Sequence, residues 1–430
     1  MLFKLKILWS LFGIKSTEFI FKNRWTSLQR YRFKQLLKQC KKASFYQKLL
    51  HEKNTISDFP VINKSIFMAN FNSINTVGIQ LDKAMKVAIQ AEETRDFSPT
   101  IKGITIGLSS GTSGNRGIFM ANEMERAKWV AYMLDRVLGF SLKRRTVAFF
   151  LRANSNLYSS VNSKLISFHF FDLLNPLEQH IEHLNTLQPT ILVAQPSMLM
   201  ELAKAIEERK LCITPAKIIS VAEVLTPEDN RYLSTVFQQI IHQVYQCTEG
   251  FLASTCKNGT LHFNEDFLMI EKRYLDEEKR RFQPIITDLS RKTQLVIRYE
   301  LNDIIRTKES CSCGNSWLAI EAIEGRSDDM LVFNSSNGEE VKIFPDFFRR
   351  AIILSDPKIV DYALIEKSKN QLDLYVASNQ LESFEAASKE ILKILDRYDV
   401  HDVRIIQTGN NGYIPGNKLR RIRNDSRKVN

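Results

Sequence analysis

The segment most suited to binding chemistry is residues 109–117, SSGTSGNRG, which holds three glycines and four hydroxyl side chains. This composition favours neither a core nor a helix. The preceding IKGITIGL predicts a strand, and a helix is predicted from Glu123. A turn of this kind between a strand and a helix would present backbone N–H groups and hydroxyls to an anion such as phosphate. An ordinary flexible turn is the alternative, and the Walker phosphate-loop pattern is absent.

Four later segments also carry charged or hydroxyl residues suited to chemistry. They are VYQCTEG with Tyr245, Thr248 and Glu249; IRYELNDI with Arg298, Tyr299 and Asp303; GRSDDML with Gly325, Arg326, Asp328 and Asp329; and PGNKLRR with Lys418. Each of these segments is a weak signal when it is taken separately. Their order along the chain carries more information than any one of them.

Three cysteines and a histidine form a separate group of candidate metal ligands. Cys256 and His262 stand in TCKNGTLHF, and Cys311 and Cys313 stand in CSCG. Two thiolates in a C-x-C pattern, with a cysteine and a histidine from a nearby segment, could close a tetrahedral zinc site. The spacing is not that of a zinc finger, so reduced structural thiols are the alternative.

The elements that must position these residues follow an alternating pattern. Strands are predicted at RTVAFFL, TILVAQP and AKIISVAE, with helices between them, and Thr226 and Pro227 are predicted to begin the next helix as N-cap and first residue. Such alternation predicts an α/β fold, with parallel-rich sheets and crossover helices in a large N-terminal domain. We expect this domain to span residues 1–325, with residues 1–57 as a helical extension. A small, mobile α+β domain is expected at residues 326–430.

Composition and charge limit the possible partners. The net charge is +12, with a local basic excess near the C-terminal end, and it fits either a solvated basic surface or an anionic ligand such as a nucleotide or coenzyme A. No aromatic-and-basic RNA-binding pattern occurs, so we expect no nucleic-acid partner. The six cysteines are irregularly spaced and no convincing export signal is present, which predicts reduced thiols in the cytoplasm.

The N-terminal stretch MLFKLKILWSLFGIK is apolar but carries lysines. It is shorter than the roughly 20 apolar residues that cross a bilayer. We predict a helix packed on the body of the protein, with a weak membrane-surface contact as the alternative and no stable insertion.

Taken in order, the motifs resemble the adenylate-forming superfamily of acyl- and aryl-CoA ligases, within it the phenylacetate-CoA ligase and coenzyme-F-synthetase-like branch. RYELND, CSCG and GRSDDML are the most telling stretches, and the resemblance spans about residues 24–423. It implies ATP-dependent adenylation of a carboxylic acid with release of pyrophosphate. Thioester formation with coenzyme A or with the phosphopantetheine of a carrier protein would follow. Nucleotidyl transfer to a hydroxyl, and nucleotide binding without catalysis, are the alternatives.

The resemblance also implies roles for single residues. A loop for the β- and γ-phosphates of ATP would be formed by Ser109, Ser110, Gly111, Thr112, Ser113, Gly114, Arg116 and Gly117, with Arg116 where many relatives have lysine. Thr248 and Glu249 would contact the α-phosphate and Mg²⁺. Tyr245 would stack near adenine, with Ala222 and Glu223 on its other side. Asp303 would accept the ribose hydroxyls, and Arg326 would approach the ribose or phosphates.

Three further expectations come from the same resemblance. Lys418 would reach the α-phosphate during adenylation, and Asp328 would be the hinge of the small domain. An aryl or apolar acid is expected in a pocket near Asn154, Tyr158, His169 and Phe171. Related sequences tend to carry a Cys…Gly-Leu-His stretch and a C-x-C-G stretch at the positions of the cysteines and histidine described above, which favours bound Zn²⁺.

Overall fold

The computed structural model describes residues 2–21, 24–94, 96, 98–109, 116–139, 141, 143–151, 164–359, 361–377, 381–412 and 419–426. The chain divides into two compact units. The first contains Met1–Leu301 and Arg306–Ala322, and the second contains Asn302–Ile305 and Ile323–Asn430.

The first unit begins with helices. They are α1 (Leu2–Ile20), α2 (Trp25–Cys40), α3 (Ser44–Gln47), α4 (Lys64–Ala69), α5 (Phe71–Ile74) and α6 (Leu81–Thr94), with a 3₁₀ turn at Ile56–Asp58. α1 packs against the later helix α7 (Glu123–Tyr132) through its buried residues Ile7, Ser10 and Ile14. The packed N-terminal helix predicted from the sequence is therefore present.

A small antiparallel sheet follows, formed by β1 (Thr100–Ile101), β2 (Ile104–Leu108) and β3 (Ile118–Ala121). Leu108 pairs with Ile118, so residues 109–117 connect two strands of a hairpin. The predicted strand–turn–helix order is wrong at this point, because β3 lies between the turn and α7. The loop therefore has no helix N-terminus directly behind it.

α7 begins at a capping box and ends in a π-helical turn, Met133–Leu138. The side chain of Asn122 accepts a hydrogen bond from the Glu125 N–H at 2.9 Å, and Glu125 accepts one from the Asn122 N–H at 2.8 Å. In the π turn, Arg136 is buried. Its guanidinium lies 3.0 Å from the Asp266 carboxylate and stacks over the ring of Trp317, with 4.8 Å between guanidinium carbon and ring centroid.

The parallel half of the large sheet contains β4 (Arg145–Leu151), β5 (Ile166–Asp172), β6 (Ile191–Ala194), β7 (Lys217–Ser220) and β8 (Ile241–Cys247). Their order is β5-β4-β6-β7-β8, and all of these pairs are parallel. The crossover helices are α8 (Leu177–Leu187), α9 (Pro196–Glu207) and α10 (Pro227–Phe237). Thr226 caps α10 by accepting from the Asp229 N–H at 3.1 Å, as predicted. The core here is built from fully buried apolar residues such as Phe150, Leu192 and Ile218.

Antiparallel strands extend the sheet from β8. They are β9 (Gly250–Thr255), β10 (Leu261–Phe263), β11 (Leu268–Tyr274), β12 (Arg281–Asp288), β13 (Tyr299–Glu300), β14 (Asp303–Thr307) and β15 (Ala319–Arg326). Over the described residues the sheet has twelve strands and continues β8-β9-β10-β15-β14-β12-β11, with β13 pairing to β12. The predicted α/β class with a parallel-rich sheet and crossover helices is confirmed.

The second unit is a smaller α+β structure. It contains a 3₁₀ turn at Ser327–Asp329, the hairpin β16 (Leu331–Asn334) and β17 (Glu340–Ile343), the helices α11 (Pro345–Ser355) and α12 (Leu381–Arg397), and the strands β18 (Tyr362–Ser368), β19 (Gln371–Val376), β20 (Arg404–Gln407) and β21 (Ile422–Asn424). The strand order is β20-β19-β18-β21. Phe333, Phe348 and Leu364 are fully buried members of a core that belongs to this unit alone.

Candidate functional site

A cleft in the first unit brings together several of the predicted residues. We call it the Glu249 cleft. It is lined by Lys64, Phe67, Met68, Gly117, Ile118, Thr248, Glu249, Arg291, Gln294, Val296 and Tyr299. Gly117, Thr248 and Glu249 come from two motifs more than 100 residues apart. The fold therefore brings together two segments that the sequence had linked only through their residue types.

The β2–β3 hairpin supplies one wall of the cleft. The Ser109 N–H donates to the Gly117 carbonyl at 2.8 Å, and the Gly117 N–H donates to the Ser109 hydroxyl at 2.7 Å. These two bonds close the base of the 109–117 loop. Ser110, Gly111, Thr112, Ser113 and Gly114 lie outside the described residues.

The tight turn between β8 and β9 supplies further polar groups of the cleft lining. Cys247 pairs with Gly250, so Thr248 and Glu249 are the two turn residues. The buried Tyr299 donates its hydroxyl hydrogen bond to the Glu249 carboxylate. Burial raises the pKa of Tyr299, and the negative charge of Glu249 raises it further, so the phenol stays protonated as a donor. Tyr299 thereby orients Glu249.

Two cations complete the lining, and both were missed in the sequence. Lys64 is the first residue of α4, and Arg291 follows the polar turn after β12. The Arg291 guanidinium donates to the Thr248 carbonyl at 3.1 Å and to Gln294 at 3.4 Å. Gln294 is itself fixed, because it accepts from the Met120 N–H and donates to the Ile118 carbonyl. A polar run that interrupts buried strands, LSRKTQ, was the available signal for Arg291.

The carboxyl ends of the parallel strands gather other predicted residues. Ala222 and Glu223 follow β7, and Thr248 and Glu249 follow its parallel neighbour β8. Ligands of open parallel sheets bind at this edge. Ala222 has φ of 69°, a left-handed conformation that is unfavourable for a residue with a Cβ and is typical of functional turns. The Glu223 carboxylate accepts from the Ser197 N–H at 3.2 Å at the start of α9.

Other predicted residues have protein partners outside the cleft lining. Tyr245 is largely buried in β8, with its ring 6.3 Å from that of Phe263. Arg116 donates to both oxygens of Glu92, at 2.5 and 2.6 Å. Arg298 makes a two-pronged pair with Glu271, at 3.0 and 2.8 Å, and has a structural role.

In the second unit, the predicted residues form a local network. The Asp303 carboxylate lies 3.9 Å from the Arg326 guanidinium. Asp328 accepts from the Asn302 side chain at 2.6 Å, and the buried Asp329 pairs with Arg420. Lys418 lies outside the described residues, as do Asn154 and Tyr158 of the expected acyl pocket.

The remaining acyl-pocket candidates lie on β5. The His169 Nε2 is 2.8 Å from the Ser167 hydroxyl. Phe171 is buried and stacked on Phe150, with 4.6 Å between ring centroids, so it is a member of the core.

The second candidate site, which we call the Cys–His cluster, consists of Cys256, His262, Cys311 and Cys313. Their sulfur and imidazole nitrogen atoms all lie within 4.8 Å of one another. The Cys256 and Cys311 sulfurs are 3.8 Å apart, and the Cys313 sulfur is 3.5 Å from His262 Nε2. Tetrahedral zinc with Zn–S of about 2.3 Å and Zn–N of about 2.0–2.1 Å requires S···S of about 3.8 Å and S···N of about 3.5 Å. These two separations match the values for zinc, and the other pairs of ligand atoms lie within 4.8 Å.

The surroundings of the cluster favour ligation. His262 Nδ1 lies 3.1 Å from the Trp317 carbonyl, which can only accept, so the proton is on Nδ1 and the Nε2 lone pair faces the cysteines. A hydrogen bond with the Thr260 side chain is the main cause that lowers the pKa of the Cys311 thiol, to about 6. Gly259 and Gly314 have positive φ, of 79° and 83°, in the two turns that carry the cysteines.

No protein-family model matches this sequence, and no curated protein sequence matches it. Solved structures do match. The chain is similar to 2-hydroxyisobutyryl-CoA ligase in the postadenylation state in complex with R3-HIB-AMP, with 14% identity, a TM-score of 0.67, and coverage of 94% of this chain and 90% of that chain.

Two further structures show the same similarity at lower coverage. ATP-bound MatB from Rhodopseudomonas palustris has 13% identity and a TM-score of 0.52, covering 73% of this chain and 66% of its own. The amide bond synthetase McbA from Marinactinospora thermotolerans has 12% identity and a TM-score of 0.52, covering 76% and 68%. The chain therefore has the fold of the adenylate-forming ligases that its motifs resemble.

Proposed function

We propose that this protein uses ATP to activate a carboxylic acid as an acyl-adenylate, releasing pyrophosphate, and then transfers the acyl group to a thiol. The proposal rests on one observation above all. Gly117, Thr248 and Glu249, three residues predicted to contact the phosphates of ATP, converge in one cleft with the cations Lys64 and Arg291. The similarity in fold to a CoA ligase with an acyl-AMP ligand supports it.

The chemistry requires two anions to be held in line, with the charge on the phosphates neutralised. In our proposal the N–H groups of the 109–117 loop and the Thr248 hydroxyl bind phosphate oxygens. Lys64 and Arg291 supply positive charge, and neither a serine nor a cysteine nucleophile is needed.

Glu249 fits a role in holding Mg²⁺. Its carboxylate is oriented by Tyr299 and faces a cleft in which phosphate would lie, and Mg²⁺ is usually bound by one or two carboxylates together with substrate phosphates. Bound Mg²⁺ would neutralise phosphate charge. The chain's own part is to present the Glu249 carboxylate as a hydrogen-bond acceptor for Tyr299.

The remaining assignments extend the proposal along the nucleotide. Tyr245, Ala222 and Glu223 would contact adenine, Asp303 the ribose, and Arg326 the ribose or phosphates. Lys418 would act in adenylation, and Asp328 would be the hinge of a C-terminal domain at residues 326–430. The acid is proposed to be aryl or apolar, as in the phenylacetate-CoA ligase branch, and the acceptor to be coenzyme A or a carrier protein.

We also propose that the Cys–His cluster holds a structural zinc ion. Two of the ligand-atom separations match a zinc tetrahedron, and in this proposal the protein supplies all four ligands. Closed coordination of this kind ties the turn that carries Cys256 to the segment that carries Cys311 and Cys313. It leaves no position for a substrate.

Pyrophosphate release against a panel of aryl, aliphatic and small polar acids, each with and without coenzyme A, tests the function. We expect release that depends on an aryl or apolar acid, and an acyl-CoA product when coenzyme A is present. The Glu249→Gln variant is assayed in parallel, and we expect it to release at least about tenfold less pyrophosphate.

Three outcomes would contradict the proposal. ATP binding without pyrophosphate release would indicate a nucleotide-binding protein. Release that needs a hydroxyl acceptor and no acid would indicate nucleotidyl transfer. Equal release by the Glu249→Gln variant would contradict the role of Glu249 in the proposed site.

A further inference from the structure

Helix α1 carries large apolar side chains on two opposite faces. The inner face, with Ile7 and Ile14, is buried. The outer face is exposed to solvent, at 71% for Leu2, 58% for Leu5, 61% for Leu8, 72% for Trp9, 68% for Phe12, 86% for Phe19 and 65% for Ile20. A surface helix of a globular protein normally has polar residues there. A contiguous apolar surface of this kind marks an interaction site.

The geometry of the helix gathers these seven residues into one stripe. At 3.6 residues per turn they lie within about 120° of the circumference, opposite Ile7 and Ile14. Lys6 pairs with Glu123 of α7, and Lys15 lies 2.5 Å from Asp135 of the π turn. The inner face is therefore anchored at both ends of α7, and the apolar stripe is held outward.

Almost all of the net charge lies in the same part of the sequence. Residues 1–51 contain twelve lysines and arginines and one acidic residue, Glu18, which gives +11 of the chain's +12. The rest of the chain is therefore close to electrically neutral, with +1.

Helix α2 displays much of this charge on one face. Arg30, Lys34 and Lys38 of α2 are followed by Lys41, its C-cap, at intervals of four, four and three residues, and all four are exposed. Within the described part of the chain none of them forms an ion pair. The buried residues Leu28, Leu36 and Cys40 occupy the other side of the helix.

We propose that α1 and α2 bind the surface of an anionic lipid bilayer. The apolar stripe of α1 would enter the boundary between headgroups and acyl chains, with the indole of Trp9 at the interface, and the cations of α2 would be attracted to lipid phosphates. Among the described residues no helix combines the length and apolarity needed to cross a bilayer. The charge favours this occupant over a second copy of the chain, because pairing two copies through α1 would bring two +11 segments together.

Sedimentation of the full chain with vesicles tests the proposal. We expect binding to phosphatidylcholine vesicles containing about 30% phosphatidylglycerol, binding at least about tenfold weaker to phosphatidylcholine alone, and weakening in about 0.5 M salt. The fluorescence of Trp9 should shift to shorter wavelength on binding.

Two pairs of variants separate the apolar and charge contributions. Trp9→Ala with Phe12→Ala should weaken binding at least about tenfold, whereas Trp9→Phe and the control Leu354→Ala, at a residue 80% exposed on α11, should bind as wild type. Lys34→Glu with Lys38→Glu should weaken binding at least about tenfold. The matched control is Lys83→Glu with Lys86→Glu, two exposed lysines of α6. All of these side chains are exposed, so unchanged unfolding temperatures are expected.

Several results would overturn the proposal. Equal affinity for neutral and anionic vesicles would show that the cations of α2 do not contribute to binding. Equal weakening of vesicle binding by the Lys34/Lys38 pair and by the Lys83/Lys86 pair would show that only the net charge of the chain matters. Absence of vesicle binding, with a wild-type dimer that Trp9→Ala with Phe12→Ala converts to monomer, would show that a second copy covers the stripe. If neither vesicle binding nor a dimer is found, the proposal that the stripe binds a bilayer is wrong.

Discussion

The Glu249 cleft and the Cys–His cluster both lie where turns of the first unit meet, but their side chains differ in what they contact. In the cleft, Glu249 already accepts from Tyr299, and Arg291 already donates to the Thr248 carbonyl. In the cluster, the sulfur and nitrogen atoms face one another at separations that suit a common ligand. The polar groups of the cleft are therefore held by protein partners, whereas the four candidate ligand atoms of the cluster lie within 4.8 Å of one another.

The two sites also differ in how much of each lies within the described residues. The four members of the cluster are all described and belong to one unit. The proposed nucleotide site depends on convergence of motifs. Its loop residues 110–115 and Lys418 lie outside the described residues.

The largest effect is expected at the cluster, because the binding energy of a structural metal contributes directly to folding. Protein purified without a histidine tag should contain one equivalent of zinc. Cys313→Ser should lose it and lower the unfolding temperature by several degrees, while the control Cys212→Ser, at an exposed cysteine, should do neither. Metal analysis with thermal unfolding measures both. Less than about a tenth of an equivalent of zinc in the wild type would refute the structural metal.

The next effect tests whether the proposed nucleotide site needs a residue from the second unit. Lys418→Ala should lower adenylate formation by roughly two orders of magnitude or more, the scale for losing one preorganised charge. Thioester formation from a supplied acyl-adenylate should be much less affected, and Asp328→Pro should show the reverse pattern. Lys389→Ala, at an exposed lysine of α12, is the control. An equal fall in both half-reactions for Lys418→Ala would contradict the assignment.

Glu249→Gln separates the two sites directly. Pyrophosphate exchange should fall at least about tenfold, because a neutral amide binds Mg²⁺ poorly, while zinc content and the unfolding temperature stay unchanged. Tyr299→Phe should cause a smaller, severalfold loss through misplacement of Glu249. Glu182→Gln, at an exposed carboxylate of α8, serves as control. Exchange at the wild-type rate would reject the role of Glu249.

The smallest effect is expected at Arg116, because Glu92 already occupies its guanidinium. Arg116→Lys should change the KM for ATP by less than about threefold, as expected for a partly exposed ion pair. Initial-rate kinetics over a range of ATP concentrations would measure it. A loss as large as that of Glu249→Gln would show that Arg116 contacts ATP directly.

The sequence predicted the α/β class because its strands and helices alternate with clear lengths and clear caps, as at Thr226. It failed at the loop of residues 109–117, because β3 is only four residues long and its sequence, IFMA, has no period that distinguishes a strand from a helix. Local pattern is weakest for such short elements, and here the pairing of Leu108 with Ile118 decides the structure.

Residues of the candidate sites could be predicted from the sequence only where a short segment carries a recognisable spacing of residue types. The C-x-C spacing and the nearby Cys256 and His262 allowed the cluster to be predicted before its distances were known. Lys64 and Arg291 could not be found in this way, because a single lysine at a helix start and a single arginine in a turn are common on any surface. Only tertiary pairing, which brings α4 and the turn after β12 beside Thr248 and Glu249, gives them a role.

Arg136 has a consequence for local unfolding. Its guanidinium lies on the Trp317 ring, beside the segment that carries the cluster, and 3.8 Å from Glu18 of α1. A buried cation that contacts both of these elements couples their opening, because separating either of them from Arg136 removes one of its contacts. Hydrogen exchange should therefore report one cooperative unit, in which chelation of the proposed zinc ion speeds amide exchange in α1 as well as around Cys313.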